Sequence, residues 1–393
     1  MNQHVLVLDA AQRSALAVTR SLGQLANIRV VTAEASGQAL AGSSRYSSQF
    51  FTSPNPITAP QDYITWLAKL SSELDFALII PVTEVTSQLL LLNMEHLPRV
   101  RLPFASYDNV LQLADKGHLM KLAQSLEIPI PATQWLNSAA ELNRENLTYP
   151  LVIKPCLSKI FTPSAWIATS VKIIHSAMDL DKALQSESYL QNSPFMIQEF
   201  IPGSGAGIFC LYNRGLPVTF FAHKRLREKP PQGGISVLSE SAAVDPILKQ
   251  QAEKLLAAAN WHGVAMVEFR IAPDGTAYLM EVNTRFWGSL QLAIDSGVDF
   301  PALMLSNELA LGIKQPANYQ IGQRLRWLLG DFDSLYLYLK SDYSISAKCM
   351  RILAFFTPDL FNTKHEIDRL SDLKPALYEL KTYLRQILGR RPL

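Results

Sequence analysis

The sequence contains few cysteines, no long apolar run and little net charge. Its three cysteines, Cys156, Cys210 and Cys349, have spacings that match neither a disulfide framework nor a zinc site, so a reducing compartment is the simplest setting. No apolar run approaches the roughly 18 residues that a membrane span needs. The first residues also lack the charged and apolar regions of a signal peptide. We therefore expect a cytoplasmic protein with no transmembrane segment.

The charge balance argues against one class of partner. The formal net charge is +2 and 18% of the residues are charged, which is ordinary for an enzyme and gives no indication of a nucleic-acid partner. The chain has 393 residues, and 48% of them are hydrophobic. One hydrophobic core stops growing before this length, so we expect two or three packed domains.

Roughly the first hundred residues alternate between predicted strands and helices. The predicted strands are 4–9, 28–32 and 76–81, and the predicted helices are 15–22 and 63–74. This alternation is typical of an open α/β sheet with parallel strands. We expect Gly23 to end the first helix in a left-handed C-cap. No G-x-G-x-x-G motif follows the first strand, so a dinucleotide site is not indicated.

Glu84 is a candidate substrate-binding residue of this first region. It lies just past the predicted carboxyl end of a strand, where open α/β sheets bind ligands. A capped helix that begins near Glu84 explains the residue equally well.

The middle of the chain carries two lysines in structured contexts. A predicted helix over 110–126 contains Asp115 and Lys116, and the Ile-Pro-Ile-Pro run that follows forces extended chain. A predicted buried strand over 149–155 presents Lys154 at its end. Taken alone, each lysine is more simply a surface residue.

Residues 264–283 are the most informative segment. Two β-rich runs are joined by a Pro-Asp-Gly turn, which predicts a hairpin. With a four-residue loop over 273–276, Glu268 lies directly opposite Glu281. Asn283 then projects from the same face, because side chains alternate along a strand.

Two carboxylates that face each other on a buried hairpin indicate a bound cation. They repel each other and lose solvation, so they persist only with a positive charge between them. Glu268, Glu281 and Asn283 offer hard oxygen ligands that suit Mg²⁺, with Mn²⁺ as a substitute, when the ion also binds substrate phosphates. An ion pair between Glu268 and Arg270 on a solvated face is the alternative, and the apolar neighbours make it the weaker one.

These segments together resemble the ATP-grasp superfamily, in the branch of the carboxylate–amine ligases and the large chain of carbamoyl-phosphate synthases. The hairpin with Glu268, and the run from Glu281 to Arg285, is similar to the metal and phosphate end of that fold. Lys116 and Lys154 resemble its first and second nucleotide lysines. The order and spacing of these motifs agree over about residues 110–312.

The resemblance implies a fold of the α/β and α+β classes in three parts. A Rossmann-like N-terminal domain would occupy residues 1–109. An ATP-grasp domain over 110–317 would comprise two α+β lobes, a small nucleotide lobe at about 127–200 and a metal-binding lobe at about 201–317. A helical C-terminal extension would follow over 318–393.

The resemblance also implies roles for individual residues. Lys116 and Lys154 would neutralise the phosphates of ATP, and Glu268 and Glu281 would hold the metal together with Asn283. A hinge similar to the one that reads adenine through its backbone consists of Gln198, Glu199, Phe200 and Ile201. Arg285 would stabilise the transferring phosphoryl group or the acyl phosphate, because a planar guanidinium suits both.

The sequence departs from the family after Lys154. The family usually has a glycine-rich flap here, whereas residues 156–165 contain no glycine. Ser158 and Lys159 are therefore candidates for some of the phosphate contacts.

A second chemical cluster consists of basic side chains before a Gly-Gly turn. Lys224 and Arg225 are predicted catalytic residues, and Arg227, Gly233 and Gly234 are predicted substrate contacts. The cluster would suit a phosphate or the acceptor carboxylate, and it looks like the loop that reaches over the reacting centre in carboxylate–amine ligases. A solvated basic strand is the alternative.

The function that the resemblance implies is ATP-dependent ligation. Mg²⁺-ATP would activate a small carboxylate, and an amine or amino acid (less favourably a thiol) would then attack; a homodimer is left open. The alternatives are a bicarbonate-activating enzyme similar to carbamoyl-phosphate synthase and a non-catalytic ATP-binding regulatory protein.

The end of the chain reads as helical, with an apolar stripe over 325–329 and a basic amphipathic stretch over 373–391. We favour a helical cap for this stretch over a position on a membrane surface.

Overall fold

The computed structural model describes residues 3–145, 147–161, 166–231, 233–315, 317–357 and 362–389. The chain forms two compact units. The first unit comprises Met1–Pro103, Val218–Val244 and Arg285–Leu393, and the second comprises Phe104–Pro217 and Asp245–Thr284. The domain boundaries at 109 and 317 stay predictions.

The described residues form seventeen strands and twelve α-helices, which we number in chain order. The strands are β1 Gln3–Val7, β2 Ile28–Glu34, β3 Ser47–Thr52, β4 Phe76–Ile80, β5 Thr133–Leu136, β6 Leu151–Pro155, β7 Lys159–Phe161, β8 Trp166–Ala168, β9 Lys172–Ile174, β10 Phe195–Glu199, β11 Ser204–Asn213, β12 Leu216–Lys229, β13 Ile235–Ala242, β14 Gly263–Ile271, β15 Ala277–Asn283, β16 Arg324–Arg326 and β17 Thr363–His365. The helices are α1 Arg13–Leu22, α2 Pro60–Glu73, α3 Glu84–Leu92, α4 Tyr107–Ala114, α5 Lys116–Ser125, α6 Ala177–Ser186, α7 Pro246–Ala258, α8 Leu290–Asp295, α9 Phe300–Leu309, α10 Leu328–Lys340, α11 Ile345–Phe356 and α12 Lys374–Ile387.

The first unit begins with a parallel sheet in the order β3-β2-β1-β4. Its central strands are apolar on both faces, because helices cover a parallel sheet on each side. Val5, Leu6 and Val7 of β1 have no exposed surface. The predicted Rossmann-like α/β arrangement of the N-terminal region is confirmed.

Gly23 ends α1 as predicted, but the expected left-handed cap is wrong. Its φ is −69°, in the right-handed region. A Cβ at this position would lie 2.7 Å from the Cβ of Tyr46 and 2.9 Å from the carbonyl oxygen of Thr19. Glycine is therefore required here by close packing and not by backbone conformation.

The second unit contains two antiparallel sheets. One has the order β5-β10-β6-β9, and the other contains β15-β14-β11. The first of these sheets packs on α6 through a core that includes Leu151, Ile153, Leu180, Phe195 and Ile197. This arrangement gives the α+β character that the sequence predicts.

The predicted single helix over 110–126 is two helices. Asp115 adopts an extended conformation and its side chain accepts a hydrogen bond from the backbone amide of His118, so it ends α4 and N-caps α5. An aspartate satisfies a free amide at a helix N-terminus better than it continues a helix, which explains the break.

The C-terminal part of the first unit is helical, as expected, with two added strands. Leu325 lies in β16, and Trp327 precedes α10. The predicted apolar stripe over 325–329 therefore spans a strand and a helix. None of the described helices is both long enough and apolar enough to span a bilayer.

Long-range ion pairs attach this C-terminal part to the N-terminal sheet region. Arg20 is buried, and its guanidinium donates to the carboxylate of Asp372 at 2.9 Å and to the carbonyl oxygens of Glu366 and Ile367. Arg13 of α1 likewise pairs with Glu366. Breaking such a buried pair by removing one partner typically costs about 3–5 kcal/mol.

Glu379 of α12 is a half-buried carboxyl that accepts a hydrogen bond from an indole. Nε1 of Trp327 donates to its Oε1 at 2.6 Å. Burial raises the pKa of Glu379 to about 7, and Asp368 and Glu366 add to the effect while Trp327 and Arg13 oppose it.

We expect Glu379→Gln to change how stability depends on pH. Between the ordinary pKa of 4.5 and about 7, the folded protein keeps a proton that the unfolded chain has released. The free energy of unfolding therefore falls as pH rises through this window. Glutamine keeps the acceptor for Trp327 and does not ionise, so the variant should be more stable than wild type at pH 8 by about 2 kcal/mol.

Denaturant unfolding at pH 4 and pH 8 measures this difference. Glu253→Gln, on the surface of α7, is the control and should follow the wild type. Equal pH dependence of Glu379→Gln and wild type would show that Glu379 is already ionised in the folded protein.

Candidate functional site

The hairpin β14–β15 forms as predicted, but its loop covers residues 272–276, one residue more than expected, so that Ile271 is opposite Ala277. Glu268 is paired with Glu281, and an irregularity follows at Phe269, which is opposite Leu279. The turn closes through a hydrogen bond from the amide of Ala272 to the carbonyl of Thr276, and Gly275 there has a φ of +88°. This confirms the placement of the two carboxylates.

Asn283 lies beside both carboxylates. Its Nδ2 donates to Oε1 of Glu268 at 3.0 Å and to Oε1 of Glu281 at 3.3 Å. Rotation of the amide about its last bond would turn Oδ1 towards the same point. Two carboxylates and an amide therefore converge closely enough to act as ligands of one hard ion.

The donor set is suited to an ion that is shared with a substrate. Among the described residues, no group of three or more His, Cys, Asp and Glu side chains is placed to hold a metal. An ion such as Mg²⁺ keeps several coordination positions for water and phosphate oxygens, so few protein ligands suffice. The residues present fit that mode of binding.

Lys116 lies at the first position of α5 and reaches the carboxylates. Its Nζ is 3.7 Å from Oε2 of Glu281 and donates to Oγ of Ser158 at 3.0 Å. The backbone amide of Lys116 donates to the carbonyl of Cys156, and a Cβ on Gly117 would be only 2.9 Å from the Cys156 sulfur. This close approach of α5 to the end of β6 fixes the position of the Lys116 backbone.

Lys154 lies near the end of β6 and is almost fully buried. Its Nζ donates to the carbonyl oxygen of Met280 in β15 at 2.7 Å. Burial lowers the pKa of Lys154 to about 8; Lys116 lowers it further, whereas Glu281 and Glu268 oppose the shift. A bound polyanion would raise the pKa of Lys154 again, because a phosphate near the ammonium favours its charged form.

The predicted hinge is held at both ends. Gln198 is buried, and its Nε2 donates to Oγ1 of Thr133 at 3.0 Å. The amide of Glu199 donates to the carbonyl of Ala132, and Nε of Arg270 donates to the carbonyl of Ile201 at 3.2 Å. The backbone around Phe200 is thus positioned by its neighbours on both sides.

The segment after Lys154 is a short hairpin of β7 and β8. Phe161 packs against Trp166 with ring centroids 4.8 Å apart, and Ser158, which receives the hydrogen bond from Lys116, precedes the first strand. Residues 162–165 of the predicted flap lie outside the described residues.

The basic cluster on β12, in the first unit, has two different environments. Lys224 is exposed, and Arg225 lies 3.3 Å from Oε1 of Glu228. Arg227 instead donates to the fully buried carboxylate of Asp331 at 2.7 Å and to the carbonyl oxygen of Ala354. Arg227 is therefore engaged by the C-terminal helices in this structure, and its predicted substrate contact stays a prediction.

Asp331 binds this cluster but was not among the residues predicted from the sequence. Its carboxylate accepts hydrogen bonds from Arg227, from Arg326 at 2.8 Å and from Arg351 at 2.6 Å. One carboxylate with three guanidinium groups fixes the start of α10 against β12, β16 and α11. No local pattern marks an aspartate that binds arginines from three separate elements.

The other candidates of the first unit are placed as follows. Gly233 has a φ of +138°, and a Cβ on Gly234 would lie 2.4 Å from the carbonyl oxygen of Lys229, so both glycines are needed for the turn. Arg285 is half-buried and donates to the carbonyl of Phe286. Glu84 is the first residue of α3 and accepts a hydrogen bond from Gln88. This position agrees with the alternative in which a capped helix begins near Glu84.

A comparison with family models gives one match. The model described as "ATP-grasp in the biosynthetic pathway with Ter operon" matches residues 191–330, which contain the predicted hinge, the hairpin β14–β15 and Arg285. Among proteins of curated function, none matches the sequence significantly.

Solved structures share the fold at low sequence identity. The chain is similar to an L-amino acid ligase from Bacillus licheniformis, with 18% identity, coverage of 78% of this chain and 74% of that chain, and a TM-score of 0.59. It is similar to a biotin carboxylase from Campylobacter jejuni, with 16% identity, coverage of 82% and 74%, and a TM-score of 0.64. It is also similar to a carboxyaminoimidazole ribonucleotide synthase from Aspergillus clavatus complexed with ATP, with 20% identity, coverage of 82% and 80%, and a TM-score of 0.61. These findings confirm the resemblance and the fold class that the sequence predicts.

Proposed function

From the ATP-grasp fold of this chain, we propose that it is an enzyme that uses Mg²⁺-ATP to activate a carboxylate as an acyl phosphate and transfers the acyl group to an amine. One observation carries the proposal. Two buried lysines, Lys116 and Lys154, converge with Glu268, Glu281 and Asn283 within the second unit. Two buried ammonium groups in one site are costly unless an anionic ligand uses them.

The lysines would bind the phosphates of ATP. An ammonium group is a compact point charge that can neutralise phosphate oxygens without fixed geometry. Lys116 already contacts Ser158, whose hydroxyl would add a donor beside it. The backbone of Gln198, Glu199, Phe200 and Ile201 would hydrogen-bond adenine.

Glu268, Glu281 and Asn283 would hold Mg²⁺ or Mn²⁺. When bound, the ion would neutralise charge on the β- and γ-phosphates. The protein side chains place the phosphates against the two lysines, so no side-chain nucleophile is needed.

The proposed reaction has two steps. A carboxylate oxygen attacks the γ-phosphorus and ADP leaves, which forms the acyl phosphate. The amine nitrogen then attacks the acyl carbon, phosphate leaves, and the nitrogen loses a proton to solvent. Arg285, Lys224 and Arg225 would stabilise the negative charge that develops in these steps.

We predict that the products are ADP and phosphate, and that one carboxylate oxygen is transferred to the phosphate. The protein is incubated with Mg²⁺-ATP and pools of ¹⁸O-labelled small carboxylates and amino acids, and released phosphate is analysed by mass spectrometry. Label in phosphate requires an acyl phosphate. Formation of AMP and pyrophosphate would overturn the mechanism.

The same experiment separates the alternatives. The biotin carboxylase likeness supports bicarbonate as a second candidate for the activated carboxylate. Turnover with labelled bicarbonate alone would favour it. ATP binding without turnover in any pool would favour a non-catalytic ATP-binding protein. The cytoplasmic location and the homodimer stay predictions.

A further inference from the structure

The last helix, α12, exposes its apolar side. Leu377, Leu380, Leu384, Ile387 and Leu388 are 65%, 44%, 48%, 63% and 71% exposed. Spacings of three and four residues put these side chains on one face of the helix. The packed cap favoured from the sequence would bury this stripe, and the structure leaves it uncovered by the described residues of the chain.

The opposite side of α12 holds the helix in place through polar groups. The hydroxyl of Tyr378 donates to the carbonyl of Gln38 at 3.1 Å, and Glu379 accepts from Trp327 at 2.6 Å. Tyr383 donates to Asp333. The helix is therefore anchored with its aliphatic stripe facing outwards.

Basic side chains border the stripe. Lys374, Lys381 and Arg385 follow one edge of it by helical spacing. The only acidic residue of α12, Glu379, lies on the anchored side and accepts the hydrogen bond from Trp327. Two more arginines follow in the sequence at 390 and 391, outside the described residues.

We propose that the stripe of α12 (Leu377, Leu380, Leu384, Ile387 and Leu388) docks on the surface of an anionic lipid bilayer. A helix with one aliphatic face bordered by Lys and Arg lies in the interface between head groups and acyl chains. Each basic residue near an anionic surface adds attraction, and the exposed leucines add burial of apolar area.

A cleft beside the stripe is a further argument for an anionic lipid as the binding partner. It has a volume of about 340 Å³, and its lining includes Ser36, Thr382, Lys381 and Arg385. Two cations and the hydroxyl of Thr382 suit the phosphate of a lipid head group, whereas the hydroxyl of Ser36 already donates to the carbonyl of Gln38. Head-group binding in the cleft and acyl-chain contact on the stripe would occur together.

The chemistry of the stripe favours a bilayer over a protein. Protein interfaces concentrate their energy in Trp, Tyr and Arg anchors, whereas this stripe is made only of leucine and isoleucine. Antiparallel pairing with the same face of a second copy would place Lys374, Lys381 and Arg385 against their own equivalents, and like charges repel.

The test is co-sedimentation of the full chain with vesicles. One set is pure phosphatidylcholine, and the other contains 30% phosphatidylglycerol. We expect binding to the anionic vesicles at least about tenfold tighter than to the neutral ones, and weaker binding at higher salt.

Two pairs of variants separate the apolar and the charged contribution. Leu377→Gln with Leu384→Gln should weaken binding to anionic vesicles by at least about tenfold. Lys381→Gln with Arg385→Gln should weaken it by about 30-fold, because each basic residue contributes a factor of about five. Matched controls on other helices are Ile247→Gln with Met178→Gln, and Lys249→Gln with Lys254→Gln, which should bind like wild type.

Each outcome decides the proposal. Absence of binding to anionic vesicles overturns it, and so does equal loss in the control variants. A homodimer that dissociates in the Leu377→Gln, Leu384→Gln variant, with vesicle binding unchanged, would show that the stripe joins two copies instead. The measurement does not depend on ATP turnover, so failure here leaves the proposed ligase function standing.

Discussion

Glu281→Gln is expected to lower metal-dependent ATP turnover by at least about a thousandfold while the fold survives. The carboxylate of Glu281 is opposite Glu268 and within 3.3 Å of the amide of Asn283, so it is central to the proposed metal site. A metal ion that neutralises phosphate charge contributes several kcal/mol to the transition state, and each 1.36 kcal/mol is a factor of ten. Glutamine has the same size; it relieves the repulsion with Glu268 and loses the ion pair with Lys116. These two effects oppose each other, so we expect the melting temperature to change little.

Steady-state ATP hydrolysis across a range of Mg²⁺ and Mn²⁺ concentrations measures the effect. Glu253→Gln on α7 is the matched control, because it neutralises an acidic side chain that is partnered with Lys249 and not with the hairpin. Full activity of Glu281→Gln with unchanged metal dependence would remove the metal assignment. Loss of activity together with loss of folding would be resolved by Glu268→Gln, which neutralises the other carboxylate of the proposed metal site.

The placement of the two hairpin carboxylates could be predicted because it depends on local rules. A Pro-Asp-Gly turn predicts a hairpin, and alternation along a strand sets the face. The turn is one residue longer than predicted, and the irregularity after Glu268 offsets the extra residue, so the two carboxylates still face each other. Glu268 and Glu281 are only thirteen positions apart, so no long-range contact is needed to bring them together. The same reasoning predicted β1, β2 and β4 of the N-terminal sheet but missed β3, which has no buried residue to mark it.

The surroundings of the site could not be predicted in the same way. Lys154 is held by the carbonyl of Met280, and Arg227 by Asp331, across 126 and 104 positions. Ion pairs and hydrogen bonds over such separations leave no periodic signal in the sequence. The roles of the lysines were therefore suggested by the order of motifs and not by their local patterns.

The predictions of a helix boundary and of a helix orientation were wrong for different physical reasons. The break at Asp115 depends on one capping side chain, which competes with continuation of the helix. The orientation of α12 cannot be read from its pattern, because an amphipathic helix shows which residues share a face and not which face packs on the protein. The polar contacts of Tyr378 and Glu379 decide it.

Arg285 and Lys154 are expected to differ in what their loss affects. Lys154→Met should weaken ATP binding by about tenfold to a hundredfold, because hydrogen bonds to charged groups contribute about 1.5–3 kcal/mol. Methionine fills the buried space of the lysine stem, so the change tests the charge. Arg285→Ala should leave ATP affinity nearly intact and lower turnover about a hundredfold or more, as expected when one donor to the transition state is removed.

Calorimetric ATP binding and steady-state rates on both variants measure the two effects separately. Lys182→Met, an exposed lysine on α6, is the control for the loss of one positive charge and should match wild type in both assays. Burial lowers the pKa of Lys154 only to about 8, because Glu281 and Glu268 favour the charged form, so the charge is present at neutral pH before the reaction and acts on bound ATP. Arg285 is half-buried and donates to the carbonyl of Phe286, so a second donor of the guanidinium can serve charge that appears during transfer. If Arg285→Ala loses ATP affinity as severely as Lys154→Met, Arg285 binds the phosphates of the ground state, and this division of roles is wrong.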